Sequence, residues 1–170
     1  KRGGIALLRA AYEQHGLSST VVMPANLYGP GARFDPERSN VVAATIRRCV
    51  EARDRTSPAI SCWGTGTPSR EFLFVADAAE GIRRAAEHRG RPDPINLGTG
   101  RETTIAELVE IVAECVGFDG DITWDHERPD GAARVCMDCE SWRRDMGWMP
   151  GTALRDGIAE TVAWWLAHRE

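Results

Sequence analysis

The sequence predicts an α/β protein, because short β-branched segments alternate with longer segments in which apolar residues recur at helical spacing. The strand-like segments are 19–24, 59–63, 71–75, 94–98, 121–124 and 133–138. The helix-like segments are 2–16, 40–53, 77–88, 104–116, 140–147 and 153–169. Clusters of proline and glycine near 29–36, 64–68 and 90–94 are the places where we expect the chain to cross between two lobes.

The first helix is predicted by Ile5, Leu8 and Tyr12 on one face, and Gly16 is expected to end it as a C-cap. Leu7 makes this helix apolar on a second side as well, which is more apolar surface than packing against one sheet requires. The extra surface predicts a further packing partner.

Two later helices have recognisable starts. Pro24 is expected to stop the first strand, and Ser39 is placed to cap the helix over 40–53. The helix over 104–116 is expected to start at Thr103 or Thr104, with Glu107 in the capping-box position.

Composition excludes several function classes. The net charge of −4 over 170 residues gives no reason to expect binding to nucleic acid or to an anionic membrane. Five cysteines, without an 18-residue apolar run or a signal-peptide pattern, predict a reducing, cytoplasmic setting. Cys136 and Cys139 have the spacing of half a zinc site, but no second pair follows, so we expect no metal.

A first candidate binding segment is Asn-Leu-Tyr-Gly-Pro at 26–30, directly after the first strand. Ligands of open parallel sheets bind beyond the carboxyl ends of the strands, so this segment is a candidate pocket wall. An ordinary turn would use the same residues.

A second candidate is "WGTGTPSREF" at 63–72. Its glycines allow a ligand to approach the backbone, and Arg70 offers a charged fork that can grip a phosphate. A simple hairpin turn is the alternative interpretation.

The third candidate is "ERPDGAARV" at 127–135, where Arg128 and Arg134 flank an Asp-Gly turn. Two guanidinium groups on one loop suit a diphosphate, and Asp130 could accept hydrogen bonds from sugar or ribose hydroxyls. A surface hairpin with solvated charges explains the same residues.

In this order and spacing, these segments resemble the extended short-chain dehydrogenases/reductases, in the NAD-dependent nucleotide-sugar epimerase/dehydratase family. Within that family the chain is most similar to the GDP-L-fucose synthase branch. The motifs that carry the resemblance are "MPANLYGP", "FDPERSNVV", "WGTGTPSREFLFV", "INLGTG", "TIAEL", "RPDGAAR" and "DMGW". Together with the tryptophan-rich last helix they cover essentially the whole chain.

The resemblance implies the latter part of a Rossmann-type doubly wound sheet plus a small α/β substrate-binding lobe. Residues 1–30 and 71–98 would belong to the NAD(P)-binding domain, and residues 31–70 and 99–170 to the nucleotide-sugar-binding lobe. It also implies a homodimer that pairs the first helices. The family's catalytic tyrosine would lie four residues before Lys1, and its glycine-rich loop would lie earlier still.

The resemblance also assigns site residues. Lys1 would be catalytic, holding the nicotinamide ribose and lowering the pKa of that tyrosine. The positions expected to contact the NAD or NADP cofactor are Lys1, Pro24, Ala25, Asn26 and Leu27. The positions expected to contact the nucleotide sugar are Asn26, Asn40, Arg48, Trp63, Arg70, Asp130 and Arg134.

Two positions depart from the fucose synthase pattern. Asn40 stands at a catalytic position where that branch has a histidine acid/base, and an amide exchanges no proton near neutral pH. Val135 stands where a lysine is expected. The resemblance therefore implies an NAD(P)-dependent nucleotide-sugar epimerase/reductase acting through a C4-keto sugar, with Asn40 either capping a helix or contacting the sugar. A 4-epimerase, a 4,6-dehydratase and a non-catalytic nucleotide-sugar-binding module are the alternatives.

Overall fold

The computed structural model describes residues 2–87, 90 and 92–169. The helices are α1 (Arg2–His15), α2 (Val41–Asp54), α3 (Val75–Glu87), α4 (Ile105–Val116), α5 (Glu140–Met146) and α6 (Leu154–His168). The strands are β1 (Val21–Pro24), β2 (Asn26–Tyr28), β3 (Ala59–Trp63), β4 (Ser69–Arg70), β5 (Phe72–Phe74), β6 (Pro94–Leu97), β7 (Thr103–Thr104), β8 (Asp121–Asp125) and β9 (Arg134–Val135).

Parallel pairing dominates the strand arrangement. The pairs β1–β6, β2–β5 and β3–β8 are all parallel. In a separate three-stranded sheet β4 lies between β7, to which it is antiparallel, and β9, to which it is parallel. Parallel strands joined through helices confirm the predicted α/β class.

Two predicted helix ends are confirmed. Gly16 has a φ of 65° and follows the last residue of α1. Thr104 caps α4, and Glu107 returns the bond to the Thr104 backbone as a capping box. For α2 the predicted cap Ser39 is wrong, because Asn40 accepts the hydrogen bond from Ala43 N, and the capping interpretation of Asn40 is confirmed. That helix therefore begins at Val41, one residue later than expected.

Several strand predictions need correction. Residues 26–28, 69–70 and 103–104 form the short strands β2, β4 and β7, where the sequence indicated loops, turns or a helix start. The expected strand at 71–75 covers only Phe72–Phe74, because Val75 begins α3, and the expected strand at 133–138 is reduced to Arg134–Val135. The expected strand at 19–24 begins only at Val21, but it ends at Pro24 as predicted, where Pro24 pairs with Leu97. The predicted end of the third helix, His88, lies outside the described residues.

The buried side chains form two clusters. The larger one joins α2, α4, α6 and the strands between them, and includes Ile46, Leu108, Val112 and Ile158. The smaller one joins β1, β6, α3 and α5 around Leu97 and Trp142. The predicted division into two lobes stays a prediction. The Trp142 contact places α5 against residues that this division assigns to the other lobe.

Helix α1 contributes to neither cluster, since none of its residues is buried. Within the part of the chain that the structure describes, no helix is both long and apolar enough to cross a membrane.

Candidate functional site

The segment 24–27 lies at the carboxyl end of a parallel strand pair. Pro24 pairs with Leu97, and the backbone N–H of Ala25 donates to the Leu97 carbonyl at 2.9 Å. The side chain of Asn26 donates from Nδ2 to the carbonyl of Glu71 at 2.9 Å. The chain is therefore anchored where it leaves the sheet, at the edge where open α/β sheets bind ligands.

A pocket of about 290 Å³ opens beside this segment. Leu27, Tyr28 and Asn40 line it, together with Arg33 and Arg38. Burial raises the pKa of Tyr28 well above its ordinary value of 10.0, and the Tyr28 hydroxyl lies 3.5 Å from the Leu154 carbonyl. The polar groups that this pocket offers a ligand include the guanidinium groups of Arg33 and Arg38.

Asn40 uses both ends of its amide in the backbone. Its Oδ1 accepts from Ala43 N at 3.0 Å, and its Nδ2 donates to the Leu27 carbonyl at 3.0 Å. The side chain thus caps α2 and ties that helix to the 24–27 segment. Asn26, Leu27 and Asn40 are called the asparagine turn below.

A second group of candidate substrate-binding residues lies on or beside the exposed face of strand β3. Trp63 is 68% exposed, and the guanidinium of Arg128 lies 5.1 Å from its ring centroid. Arg48 donates from Nη1 to the carbonyl of Ser61 at 3.0 Å. The side chains of Ser61 and Trp63 share the exposed face of β3, and Arg48 contacts the backbone of the same strand.

Asp130 joins the loop before β4 to the loop before β9. Its two oxygens accept from Thr65 N at 2.9 Å and from Thr65 Oγ1 at 2.7 Å, and the first of these bonds is the largest cause that lowers the pKa of Asp130. Gly64 permits this contact, because a Cβ there would lie 2.1 Å from Asp130 Oδ1. Each carboxylate oxygen retains a lone pair for a ligand.

Arg70 and Arg134 lie on the neighbouring strands β4 and β9. Arg70 donates from Nη1 to the Ser69 carbonyl at 2.7 Å, and no carboxylate among the described residues lies within ion-pair distance of it. Arg134 is bound to Glu102 by an Nε–Oε1 contact of 2.8 Å, which is the largest cause that lowers the pKa of Glu102. The charge of Arg70 is uncompensated, and the charge of Arg134 is compensated.

The structure brings most of the predicted substrate residues together. A Cβ on Gly131 would lie 3.0 Å from Arg70 Nη2, so the 128–134 loop faces Arg70. Trp63, Arg70, Asp130 and Arg134 are called the arginine edge below. Asn40 lies apart from this edge, in the asparagine turn. Lys1 lies outside the described residues.

One residue of the site was missed in the sequence. Glu71 is only 1% exposed, and its carboxylate accepts from the backbone N–H groups of Gly100 and Met137. A charged residue directly before the apolar run Phe-Leu-Phe was the available signal, because a carboxylate entering a core requires hydrogen-bond donors.

The cysteines form no recognisable metal or redox centre among the described residues. All five are free thiols. No group of three or more His, Cys, Asp or Glu side chains in that part of the chain could hold a metal ion. Burial raises the pKa of Cys136, and it raises the pKa of Cys139 to about 11.

Comparisons with known proteins point in one direction. Residues 1–98 match the model of the NAD dependent epimerase/dehydratase family. A probable GDP-L-fucose synthase 1 of Oryza sativa subsp. japonica is 43% identical over 168 residues, which are 99% of this chain and 51% of that protein.

Two solved structures are similar to the whole fold. A GDP-L-fucose synthetase of Naegleria fowleri bound to NADP has a TM-score of 0.89 at 26% identity, covering 98% of this chain and 54% of that one. A UDP-glucose 4-epimerase of Thermotoga maritima with UDP-glucose has a TM-score of 0.84 at 27% identity, covering 100% of this chain and 53% of that one. The chain thus spans about half the length of the relatives it matches.

Proposed function

Because the chain belongs to the NAD-dependent epimerase/dehydratase family, we propose that it carries the nucleotide-sugar-binding site of an NAD(P)-dependent epimerase/reductase of the GDP-L-fucose synthase type. The 43% sequence identity to the rice protein, over 99% of this chain, supports that branch. The reaction passes through a carbonyl at C4 of the sugar.

The single observation that carries the proposal is the uncompensated charge of Arg70 at the arginine edge. A guanidinium that donates to only one backbone carbonyl retains donors in a fork that matches a diphosphate. The exposed ring of Trp63 supplies an apolar face for the nucleotide, and Asp130 accepts from sugar or ribose hydroxyls. Arg48, bound to the backbone of the strand that carries Trp63, adds a further positive charge.

The cofactor would be held along Pro24, Ala25, Asn26 and Leu27. Met23 near the end of β1 and Leu27 in β2 are each 39% exposed, so apolar side chains for contact with a nicotinamide ring are available on both sides of the turn between these strands. When bound, NAD or NADP supplies or accepts the hydride at sugar C4. The role of Lys1 beside the nicotinamide ribose is part of the proposal and falls outside the described residues.

The geometry of Asn40 favours a second candidate, a reaction confined to C4. Both ends of the Asn40 amide are bound to backbone groups, so this position supplies no proton to C3 or C5. A 4-epimerase or a 4-reductase needs no such proton. The fold similarity to a UDP-glucose 4-epimerase is compatible with this candidate.

The assembly we propose is a homodimer in a reducing, cytoplasmic setting. None of the residues of α1 is buried, and Leu7 is 71% exposed, so this helix has apolar surface available for a two-fold partner. Five free thiols are compatible with a reducing compartment.

The test uses the intact protein in two steps. GDP, UDP, NAD and NADP are first titrated by calorimetry, and we expect one nucleoside diphosphate and one dinucleotide to bind independently. GDP-4-keto-6-deoxymannose is then added with the reduced dinucleotide, and oxidation of that dinucleotide is followed by fluorescence. An intact protein that binds no nucleoside diphosphate contradicts the proposal. An Arg143→Ala variant, altered at an exposed arginine of α5, is the matched control.

A further inference from the structure

Among the described residues, Glu71 is the one charged residue that is buried. It lies between β4 and β5, directly after Arg70. Burying a carboxylate is costly unless hydrogen bonds replace its hydration, so its partners show what the fold uses it for.

The partners of the carboxylate come from two other segments of the chain. Oε1 accepts from Gly100 N at 2.9 Å, and Oε2 accepts from Met137 N at 2.7 Å. The Thr99 hydroxyl and the Cys136 thiol each lie 3.5 Å from one of these oxygens. No cation among the described residues forms an ion pair with Glu71, so neutral donors alone satisfy it.

The backbone of Glu71 adds two further connections. Its N–H donates to the Val135 carbonyl at 3.2 Å, and its carbonyl accepts from the Asn26 amide at 2.9 Å. One residue therefore joins the asparagine turn, the loop after β6 and the chain that follows β9. Gly98 leaves space for the carboxylate, because a Cβ there would lie 2.0 Å from Oε1.

We propose that Glu71 is a positioning residue for nucleotide-sugar binding, which rests on the proposed function. Arg70 precedes it directly, so the peptide that Glu71 fixes also fixes the base of the guanidinium arm. Since bidentate contact with a phosphate requires a defined orientation, loosening this peptide weakens the grip of Arg70. Because neutral donors satisfy Glu71, it orients Arg70 without neutralising it.

The experiment compares two variants of the intact protein that lose similar stability. Glu71→Gln replaces one acceptor oxygen by an NH2 group facing a backbone N–H, and Val112→Ala creates a cavity in the larger cluster, away from the arginine edge. GDP and NADP are the probes, titrated by calorimetry, and thermal denaturation provides the matching. We expect Glu71→Gln to weaken GDP binding about tenfold and NADP binding less, since Asn26 bonds to the Glu71 backbone rather than to the substituted carboxylate. Val112→Ala should bind both like the wild type.

Amide hydrogen exchange gives a readout that a general loss of stability would not reproduce. We expect faster exchange at Gly100 and Met137 in Glu71→Gln than in Val112→Ala. If Glu71→Gln does not fold, Glu71→Asp keeps the charge and retracts it by one methylene, and we expect intermediate GDP affinity with the same two amides exposed.

Three outcomes overturn the proposal. Wild-type GDP affinity in a folded Glu71 variant is the first. Equal loss of GDP affinity in Val112→Ala is the second, because it would reduce Glu71 to a contribution to stability. The third is a wild-type protein that binds no nucleoside diphosphate, which contradicts both the proposed function and this proposal. The first two leave wild-type binding intact and so are distinguishable from the third.

Discussion

The arginine edge and the asparagine turn each present polar side chains beside a strand end, yet they differ in how much of that polarity is already used. Arg70 donates to one backbone carbonyl and retains the rest of its fork. The amide oxygen of Asn40 accepts from Ala43 N, and its amide nitrogen donates to the Leu27 carbonyl. A polar residue near a pocket is available to a ligand only to the extent that the fold leaves its donors and acceptors unengaged.

The same distinction separates two arginines within the arginine edge. Arg70 and Arg134 lie on adjacent strands, but Glu102 compensates only Arg134. Ser69 also donates to Glu102 at 2.9 Å, so this carboxylate is held in place. A phosphate approaching Arg134 must compete with Glu102, whereas one approaching Arg70 competes only with a carbonyl.

The largest effect is therefore expected from Arg70→Ala. Loss of a charge-assisted contact costs about 1.5–3 kcal/mol, which corresponds to an about 10- to 150-fold weaker binding of the nucleotide sugar. The affinity of Arg70→Lys for the nucleotide sugar should lie between that of the wild type and that of Arg70→Ala, because lysine keeps the charge and loses the forked geometry. Calorimetric titration of the intact protein measures both, with Arg143→Ala as control. Wild-type affinity in Arg70→Ala would remove the assignment of the diphosphate to this edge.

Arg134→Ala is expected to have a smaller effect, an about two- to tenfold loss in the same titration, because its charge is already compensated. The comparison is sharpened by repeating the substitution in a Glu102→Gln background. There Arg134 is released from its partner, and removing it should weaken binding more than in the wild type. A loss in Arg134→Ala that equals the loss in Arg70→Ala would break the distinction between the two arginines.

Features of the fold that depend on neighbouring residues were predictable from the sequence, and features that depend on distant residues were not. The capping box of Thr104 and Glu107 and the C-cap Gly16 were predicted because all their determinants lie within a few residues. Strand β2 was missed because its partner, Phe72–Phe74, is more than 40 residues away. Ser39 and Asn40 were both named as possible caps of α2, because both residue types suit that position. The contact from Asn40 to Leu27, which no local pattern encodes, accompanies the observed cap.

The site showed the same limit. Arg70 was identified because a guanidinium fork beside a glycine-containing turn can grip a phosphate. Glu71 was missed because its donors, Gly100 and Met137, come from two distant segments. The engagement of Arg134 by Glu102 was equally invisible, since 32 residues separate them. Residue type predicts what a side chain could bind, and the fold decides what it already binds.

Asp130 supplies a pH-dependent test of the arginine edge. Hydrogen bonds from Thr65 hold the pKa of Asp130 below its ordinary value of 3.8, so the folded protein takes up this proton less readily than the unfolded chain. The ionised form therefore favours folding at neutral pH, and the contribution is lost as the pH falls below about 4, through the folded pKa.

We expect Asp130→Asn to have a lower Tm than the wild type at neutral pH, and the difference to disappear in acid. Differential scanning calorimetry over a pH series measures it. Asp119→Asn, at an exposed carboxylate in the turn before β8, is the matched control and should show no such pH-dependent difference. A Tm difference that persists unchanged in acid would mean that the Asp130 charge is not what joins the two loops.

The smallest effect on chemistry is expected from Asn40→Ala. Removing the cap should lower the free energy of unfolding by about 1 kcal/mol. Asn40→Asp should restore the bond from Ala43 N but not the bond to the Leu27 carbonyl, since a carboxylate accepts hydrogen bonds and donates none. Because both ends of the amide bind the backbone, the substitution removes no proton donor or acceptor from the reaction.

We expect the wild-type protein, incubated with GDP-4-keto-6-deoxymannose in heavy water, not to take deuterium into both C3 and C5 at rates near its hydride transfer. Asn40→Ala should give the same NMR pattern per folded molecule. Rapid exchange in the wild type that disappears in Asn40→Ala would show that Asn40 takes part in the proton transfer. Rapid exchange in both would assign the proton to another residue, and the reaction would then extend beyond C4.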